Sequence, residues 1–293
     1  MSRVLVTGGT GFVGPPTVAA LLAAGHEVRV FDLKPREDVL PRSVEIVSGD
    51  VTDAGAVVRA TEGCSGIVHL AGLMTVDCAR DPLLGARVNL LGSINVFEAA
   101  RPGGLPIAYL STAGVFGPQD AVHPKPMTIY GTTKLAVEGV ARSFWLDHKV
   151  PSLGLRPYIV YGPGVSSGIA AGPSIAIGAS LRRESATIRF SGRVGFVHVG
   201  DVARLLAAAI DHRLCGAEAL TMAGDTREMD EFLAELARQT DWNGITVEGE
   251  PLRIPAELTS DPVPAVLGDH SATAIEEGIA LSLAVLREAA GVE

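Results

Sequence analysis

A doubly wound α/β fold, with a parallel sheet covered by helices on both faces and a smaller C-terminal α/β region, is predicted by three observations. Strand-length runs of Val, Ile and Leu alternate with helical-period segments through the first half of the chain. A glycine-rich turn joins the first such strand directly to the first helix. Beyond about residue 165 the alternation loosens into shorter strands and helices.

The chain has 293 residues and a net charge of −9, with 47% hydrophobic and 19% charged residues. That much apolar surface supports an enzyme-sized core, and excludes a disordered chain or a small disulfide-stapled module. Thirty-four Gly and 18 Pro follow no period, which indicates many turns and excludes a fibre. The acidic balance, with few lysines, argues against nucleic acid as a partner. Cys64, Cys78 and Cys215 lack metal or disulfide spacing, which fits a reducing cytoplasm and no bound metal. His69 and His198 belong to no His, Cys and carboxylate cluster, and read as structural residues.

Strands are expected at 3–7, 27–32, 44–48, 67–70, 106–111 and 152–156, with the first helix ending near Gly25. The uncharged run 157–181 is long enough to span a membrane, but its three Pro, five Gly and four Ser make it loop and pocket. Gly8, Gly9, Gly11 and Gly14 likewise interrupt any export-signal core near the amino terminus. Further strands are expected near 187–190 and 195–199, and helices near 201–211, 227–240 and 274–290. The division expected is a cofactor-binding domain over 1–165 and a substrate-binding region over 166–293, partly interleaved with it.

TGGTGFVG at 7–14 follows the first strand. Gly8, Gly11 and Gly14 permit a tight turn, close approach to a pyrophosphate, and close packing of helix on sheet, while the amides of Phe12 and Val13 face the phosphates. Asp32, at the end of the second strand, is placed to accept hydrogen bonds from an adenosine ribose and to repel a 2′-phosphate. NAD is therefore favoured over NADP, with Lys34 and Arg36 nearby as the counterweight. Pro15 and Pro16 lack the N–H groups of a helix starting at Gly11, so that helix either starts later or has a distorted first turn.

Tyr130 and Lys134 stand four apart on a helical segment and share one face. A free tyrosine ionises near pH ~10, so a phenolate at neutrality requires about 4 kcal/mol. An ammonium and an oxidised nicotinamide, each about 4 Å away at an effective dielectric of about 20, supply attraction of that order.

These elements, together with GDVTD at 49–53, HLAG at 69–72, VNLLGSINVFEAA from Val88, STAGVFG at 111–117, LRPYIVYGPG from Leu155 and FVHVGDVA from Phe196, resemble the extended short-chain dehydrogenase/reductase family. The resemblance is to its NAD-dependent epimerase/dehydratase type, built on a Rossmann domain, and runs over essentially the whole chain. It implies Tyr130 as acid/base, Lys134 as its electrostatic partner and ribose ligand, and Thr112 as the hydroxyl orienting the reacting carbonyl or alcohol. Ser111 competes for the role of Thr112 and is otherwise a cofactor contact. Asp50 and Val51 would meet adenine, Leu70, Ala71, Gly72 and Asn89 would line the cofactor, and Tyr158 would meet its nicotinamide side. Met74, Thr112 and Arg193 are the candidate substrate contacts. The family's habit of pairing through two long helices, here near 83–100 and 128–149, implies a homodimer.

Three departures from the family pattern narrow the reaction. Ala113 and Gly114 stand where dehydratases place carboxylates, which disfavours elimination. Ile159 replaces an Asn that reaches a substrate diphosphate in many relatives. Val194 replaces an Arg, with Arg193 one residue away. The expected activity is hydride transfer at a carbinol carbon of a sugar or sugar-derived substrate, including nucleotide-sugar 4-epimerisation. The alternatives are an NAD-dependent dehydrogenase of a free sugar, sugar acid or small hydroxy compound, and a non-catalytic NAD-binding sensor.

Overall fold

The computed structural model describes residues 2–165, 168–212, 215–268 and 270–291. Its first half alternates as expected: β1 (Arg3–Thr7), α1 (Gly14–Ala23), β2 (Glu27–Asp32), β3 (Glu45–Ser48), α2 (Ala54–Thr61) and β4 (Gly66–His69). A short α3 (Thr75–Arg80) and α4 (Pro82–Ala86) lead through one π-helical turn, Arg87–Leu91, into α5 (Gly92–Ala100). Then come β5 (Ile107–Leu110), α6 (Ile129–His148), β6 (Ser152–Pro157) and β7 (Ile159–Tyr161). The remainder comprises α7 (Gly172–Leu181), β8 (Ala186–Ile188), β9 (Arg193–His198), α8 (Val199–Asp211), β10 (Ala217–Met222), β11 (Asp225–Glu228), α9 (Met229–Thr240), β12 (Ile245–Val247) and α10 (Ile275–Ala290).

Seven strands form one parallel sheet in the order β10-β6-β5-β4-β1-β2-β3. Successive side chains of a strand point to opposite faces, so alternate residues build two cores. Val4, Val6, Val28, Val30 and Val68 pack on the face covered by α1 and α8. Leu5, Phe31, Ile67, Ile107 and Tyr109 pack with residues of α2, α5 and α6 on the other. Burial on both faces is why these strands read as continuous apolar runs. Strand order reverses between β1 and β4, and that crevice at the carboxyl ends of the strands is where α/β sheets hold ligands.

The seventh strand, β10, comes from the second half of the chain, as does the layer helix α8, while β7, β9 and β11 form a separate three-stranded sheet. The run 157–181 is not loop throughout: it supplies β7 and the buried helix α7, with residues 166 and 167 outside the described set. Gly172, Ser174, Ala176, Ala179 and Ser180 are all buried, so α7 is packed around most of its circumference and shows no polar face to betray a helical period. A Cβ at Gly172 would stand 2.8 Å from Ile188 Cγ2, which shows how closely the small residues let β8 approach. Among the described residues, no helix is long and apolar enough to cross a membrane.

Candidate active site

The glycine loop sits where β1 delivers it, at the strand-order reversal. Gly8 has φ +68°, and a Cβ there would lie 2.6 Å from the amide nitrogen of Ala71; one at Gly14 would lie 2.2 Å from the carbonyl oxygen of Gly9. Both positions therefore demand glycine, one for its backbone conformation and both for close approach. The helix begins at Gly14, later than a start at Gly11 would have it, so Pro15 and Pro16 fall in its first turn, where their missing N–H groups break no intrahelical bond. The N–H of Gly11 donates to Gly8 and that of Gly14 to Gly11. Among the described residues the amides of Phe12 and Val13 have no acceptor within the chain, which leaves them for an anionic ligand.

Asp32 ends β2 beside this loop. Its Oδ2 accepts from the amide and the hydroxyl of Thr10, at 3.1 and 2.7 Å, and its Oδ1 accepts from the Lys34 amide at 3.2 Å. The Arg36 guanidinium donates to the Thr10 carbonyl at 3.0 Å, so Arg36 also borders the Asp32 end of the crevice. Asp50 closes its own turn by accepting from the Thr52 amide, and the carbonyl of buried Val51 is held by Asn95.

Segment 70–73 links the loop to the Tyr and Lys pair. Gly8 abuts Ala71, and a Cβ at Gly72 would stand 3.1 Å from Asn89 Oδ1 and 3.5 Å from Lys134 Nζ. Leu70 is tied by its amide to the Thr7 carbonyl. Asn89 lies on the π turn and is buried; its Oδ1 accepts from the Leu73 amide at 2.7 Å and its Nδ2 donates to the Leu73 carbonyl at 2.9 Å. That carboxamide also donates to Cys78 Sγ and Thr133 Oγ1, so it braces the segment rather than presenting a free group. Met74, just beyond, is exposed.

Thr128 caps α6 by accepting from the Gly131 amide, which puts Tyr130 and Lys134 in the first two turns. Gly131 is needed because a Cβ there would stand 2.3 Å from the Gly114 carbonyl oxygen, on the short turn that Thr112 begins. The Thr112 hydroxyl, which accepts from the Gly114 amide at 3.0 Å, lowers the ionisation of the Tyr130 phenol against the stronger effect of burial, and the phenol is pushed up to about 12. Lys134 is 7% exposed; its ammonium donates to the Leu110 carbonyl at 2.8 Å and stands 5.8 Å from the centre of the Tyr130 ring. Burial brings Lys134 down to about 8. Without ligand, desolvation thus outweighs the attraction anticipated for an ammonium at about 4 Å.

Ser111 points elsewhere than Thr112. It is 2% exposed and donates to Glu138 Oε1 at 2.5 Å, and Glu138 is paired bidentately with Arg156 at 2.8 and 2.6 Å. Neither Glu138 nor Arg156 stood out in the sequence; the one available signal is that Glu138 continues the one-turn spacing of Tyr130 and Lys134. Tyr158 is buried, with burial and the Glu257 carboxylate raising its phenol. Arg193 is on β9, where its Nε pairs with Glu257 at 2.6 Å. His69 bridges Thr7 Oγ1 at 2.6 Å and Ser93 Oγ at 2.9 Å, and burial depresses it to about 3. His198 caps α8 through the Gly200 amide. Among the described residues, no group of His, Cys, Asp and Glu is arranged to hold a metal.

The chain is 34% identical over 166 residues to a UDP-glucose 4-epimerase of Bos taurus, an alignment covering 48% of each. It spans about half the length of the curated relatives it matches. Solved structures match over more of the chain. The UDP-glucose 4-epimerase of Thermus thermophilus in complex with NAD has a TM-score of 0.83 at 28% identity, covering 98% of this chain and 99% of that one. MoeE5 in complex with UDP-glucuronic acid and NAD has a TM-score of 0.84 at 28% identity, with the same coverage. The family model described as the NAD dependent epimerase/dehydratase family matches residues 4–219, and the chain belongs to that family.

Proposed function

We propose that this chain is an NAD-dependent enzyme that moves a hydride at a carbinol carbon of a sugar substrate, and that it acts as a nucleotide-sugar 4-epimerase. The observation that carries this reading is the Tyr130 phenol, its ionisation lowered by the Thr112 hydroxyl, on one helix with the buried Lys134, whose ammonium stands against the segment that abuts the glycine loop. The loop fits NAD: Gly8, Gly11 and Gly14 leave the space, Phe12 and Val13 offer amides, and Asp32 ends β2 beside them, with Asp50, Val51, Leu70, Ala71, Gly72 and Asn89 along the same crevice. Bound NAD supplies the hydride acceptor and a positive charge near the phenol. Tyr130, as phenolate, takes the proton of the substrate hydroxyl. Thr112 orients the reacting oxygen, and Lys134 holds the phenolate form by its charge. No carboxylate follows Thr112, so elimination has no second acid or base.

Residues 1–165 are assigned to the cofactor and 166–293 to the substrate, with β10 and α8 tying the second part into the first. Exposed Leu83, Leu91 and Leu146, at 74%, 53% and 61%, lie along the helical faces through which a homodimer would pair. The free Cys64, Cys78 and Cys215 support a cytoplasmic setting.

One observation favours a second reading, a dehydrogenase of a free sugar, sugar acid or other small hydroxy compound. Ile159 and Val194 are buried apolar residues, and Arg193 is already paired with Glu257, so these three positions offer little to a diphosphate. Incubation with NAD and a panel of nucleotide sugars, free sugars and sugar acids separates the two. The epimerase converts a nucleotide sugar without net NADH, whereas the dehydrogenase accumulates NADH absorbance. Tyr130→Phe abolishes turnover and retains NAD binding; a fully active variant overturns the assignment.

A further inference from the structure

Glu138 is a buried carboxylate outside the catalytic trio, and it joins three elements that carry the site. It lies on α6, one turn beyond Lys134 and two beyond Tyr130. Its Oε1 accepts from Ser111 Oγ, at the end of β5, and from Arg156 Nε on β6, while Oε2 accepts from Arg156 Nη2. The carboxylate and guanidinium side chains are only 9% and 18% exposed. Arg156 is further held against the Phe116 ring, with its guanidinium carbon 5.5 Å from the ring centre, and the Ser111 amide donates to the Leu155 carbonyl at 2.7 Å.

The clamped residue, Ser111, has a functional neighbour on either side. Leu110 provides the carbonyl that accepts from Lys134 Nζ, and Thr112 provides the hydroxyl that lowers the ionisation of Tyr130. Tyr130 and Lys134 are on the same helix as Glu138. A fork–fork carboxylate–guanidinium pair is directional, and one whose remaining acceptor capacity is used by Ser111 holds all three elements at a defined separation.

We propose that Glu138, through Ser111 and Arg156, is a positioning residue that sets the Thr112–Tyr130 and Leu110–Lys134 contacts, and so tunes the ionisation of the base without touching substrate. This rests on the assignment of Tyr130 as the base. Loss of the clamp lets the end of β5 drift from α6, and Thr112 no longer favours the phenolate.

The test uses the full chain as wild type, Ser111→Ala and Glu138→Gln. Thermal unfolding, NAD affinity by calorimetry, Tyr130 ionisation and steady-state kinetics are measured on each. Ionisation is read as the ultraviolet difference between each protein and the same protein carrying Tyr130→Phe, with saturating NAD and no substrate. Ser111→Ala leaves the Glu138–Arg156 pair in place, so it folds, binds NAD within about threefold of wild type, and raises the pH of Tyr130 ionisation by about one unit, a tenfold change in equilibrium. Its kcat falls about tenfold at neutral pH with KM unchanged. Glu138→Gln shows a larger shift, and Glu138→Asp recovers part of it. If Glu138→Gln does not fold, Ser111→Ala decides. Unchanged Tyr130 ionisation in a folded Ser111→Ala protein overturns the proposal. A large loss of NAD affinity makes Ser111 a cofactor ligand instead, and also overturns it. Because ionisation is read without substrate, absence of turnover on every sugar would refute the functional reading while leaving this result interpretable.

Discussion

Replacing Lys134 by Met removes a charge and little volume, and its consequence can be worked from the structure. The ammonium stands 5.8 Å from the Tyr130 ring centre. At an effective dielectric of about 20, that distance corresponds to about 3 kcal/mol of attraction for a phenolate, or about two units in its ionisation. The phenol begins at about 12 in the ligand-free chain, so a base at neutral pH must descend roughly five units, and Lys134 supplies about two of them. The remainder falls to the positive charge of NAD, since the effect of Thr112 is already contained in the starting value. Lys134→Met is therefore expected to lower kcat/KM about 100-fold at pH ~7, and the limb of the pH profile that reports the base should move up by about two units. Steady-state rates from pH ~6 to ~10 would show it. A loss below about threefold in a folded variant would refute the electrostatic role. The same substitution has an opposite effect on stability. Below about pH 8 both folded and unfolded chains carry the Lys134 proton, and the cost of burying the charge is felt in full. Above that pH, up to the ordinary value of 10.5, the folded chain sheds the proton first, so wild-type stability rises by about 1.4 kcal/mol per unit across the window. Denaturant unfolding of the Met variant should lack this rise and should show greater stability at pH ~7.

Three further outcomes follow from single contacts. Gly14→Ala places a Cβ 2.2 Å from the Gly9 carbonyl oxygen, so the loop must shift; a loss of about 1–3 kcal/mol in stability and at least about tenfold in NAD affinity is expected, and retention of both would show that the loop is not the phosphate site. His69 is held neutral down to about pH 3, while the unfolded chain takes up a proton near 6.5; stability therefore falls by about 1.4 kcal/mol per unit as pH drops through that window. His69→Gln should flatten this acid limb in urea unfolding. Glu257→Gln removes the 2.6 Å partner of Arg193, leaving Glu228 at 4.0 Å, and should tighten UDP binding by a fewfold, as measured by calorimetry; no change would remove Arg193 from the substrate contacts.

Features that act over a few neighbouring residues were legible without coordinates. The alternation of apolar strands and periodic helices specified the parallel sheet, because burial on both faces imposes it residue by residue. TGGTGFVG with Asp32, and Tyr130 with Lys134, could be found because a tight turn and one helical turn each bring their members together within a short span. Even the difficulty of Pro15 and Pro16 could be posed from the sequence, although whether the helix started late or began distorted could not.

Folding settled what depends on residues distant in the chain. Thr112 and Ser111 are adjacent, and the choice between them turns on whether a hydroxyl meets the Tyr130 phenol or Glu138, which is decided by the packing of α6 against the end of β5. The Glu138–Arg156 pair joins a helix to a strand, and Asn89 reaches Leu73 through a π turn, so neither leaves a local spacing to read. The helix α7 shows no amphipathic stripe because it is packed on nearly all sides, and β10 completes a sheet whose other strands lie in the first half of the chain. The balance of ionisation also belongs to the fold: desolvation acts on Tyr130 and Lys134 only once they are buried, and it exceeds the neighbouring charge on which a sequence argument must rely.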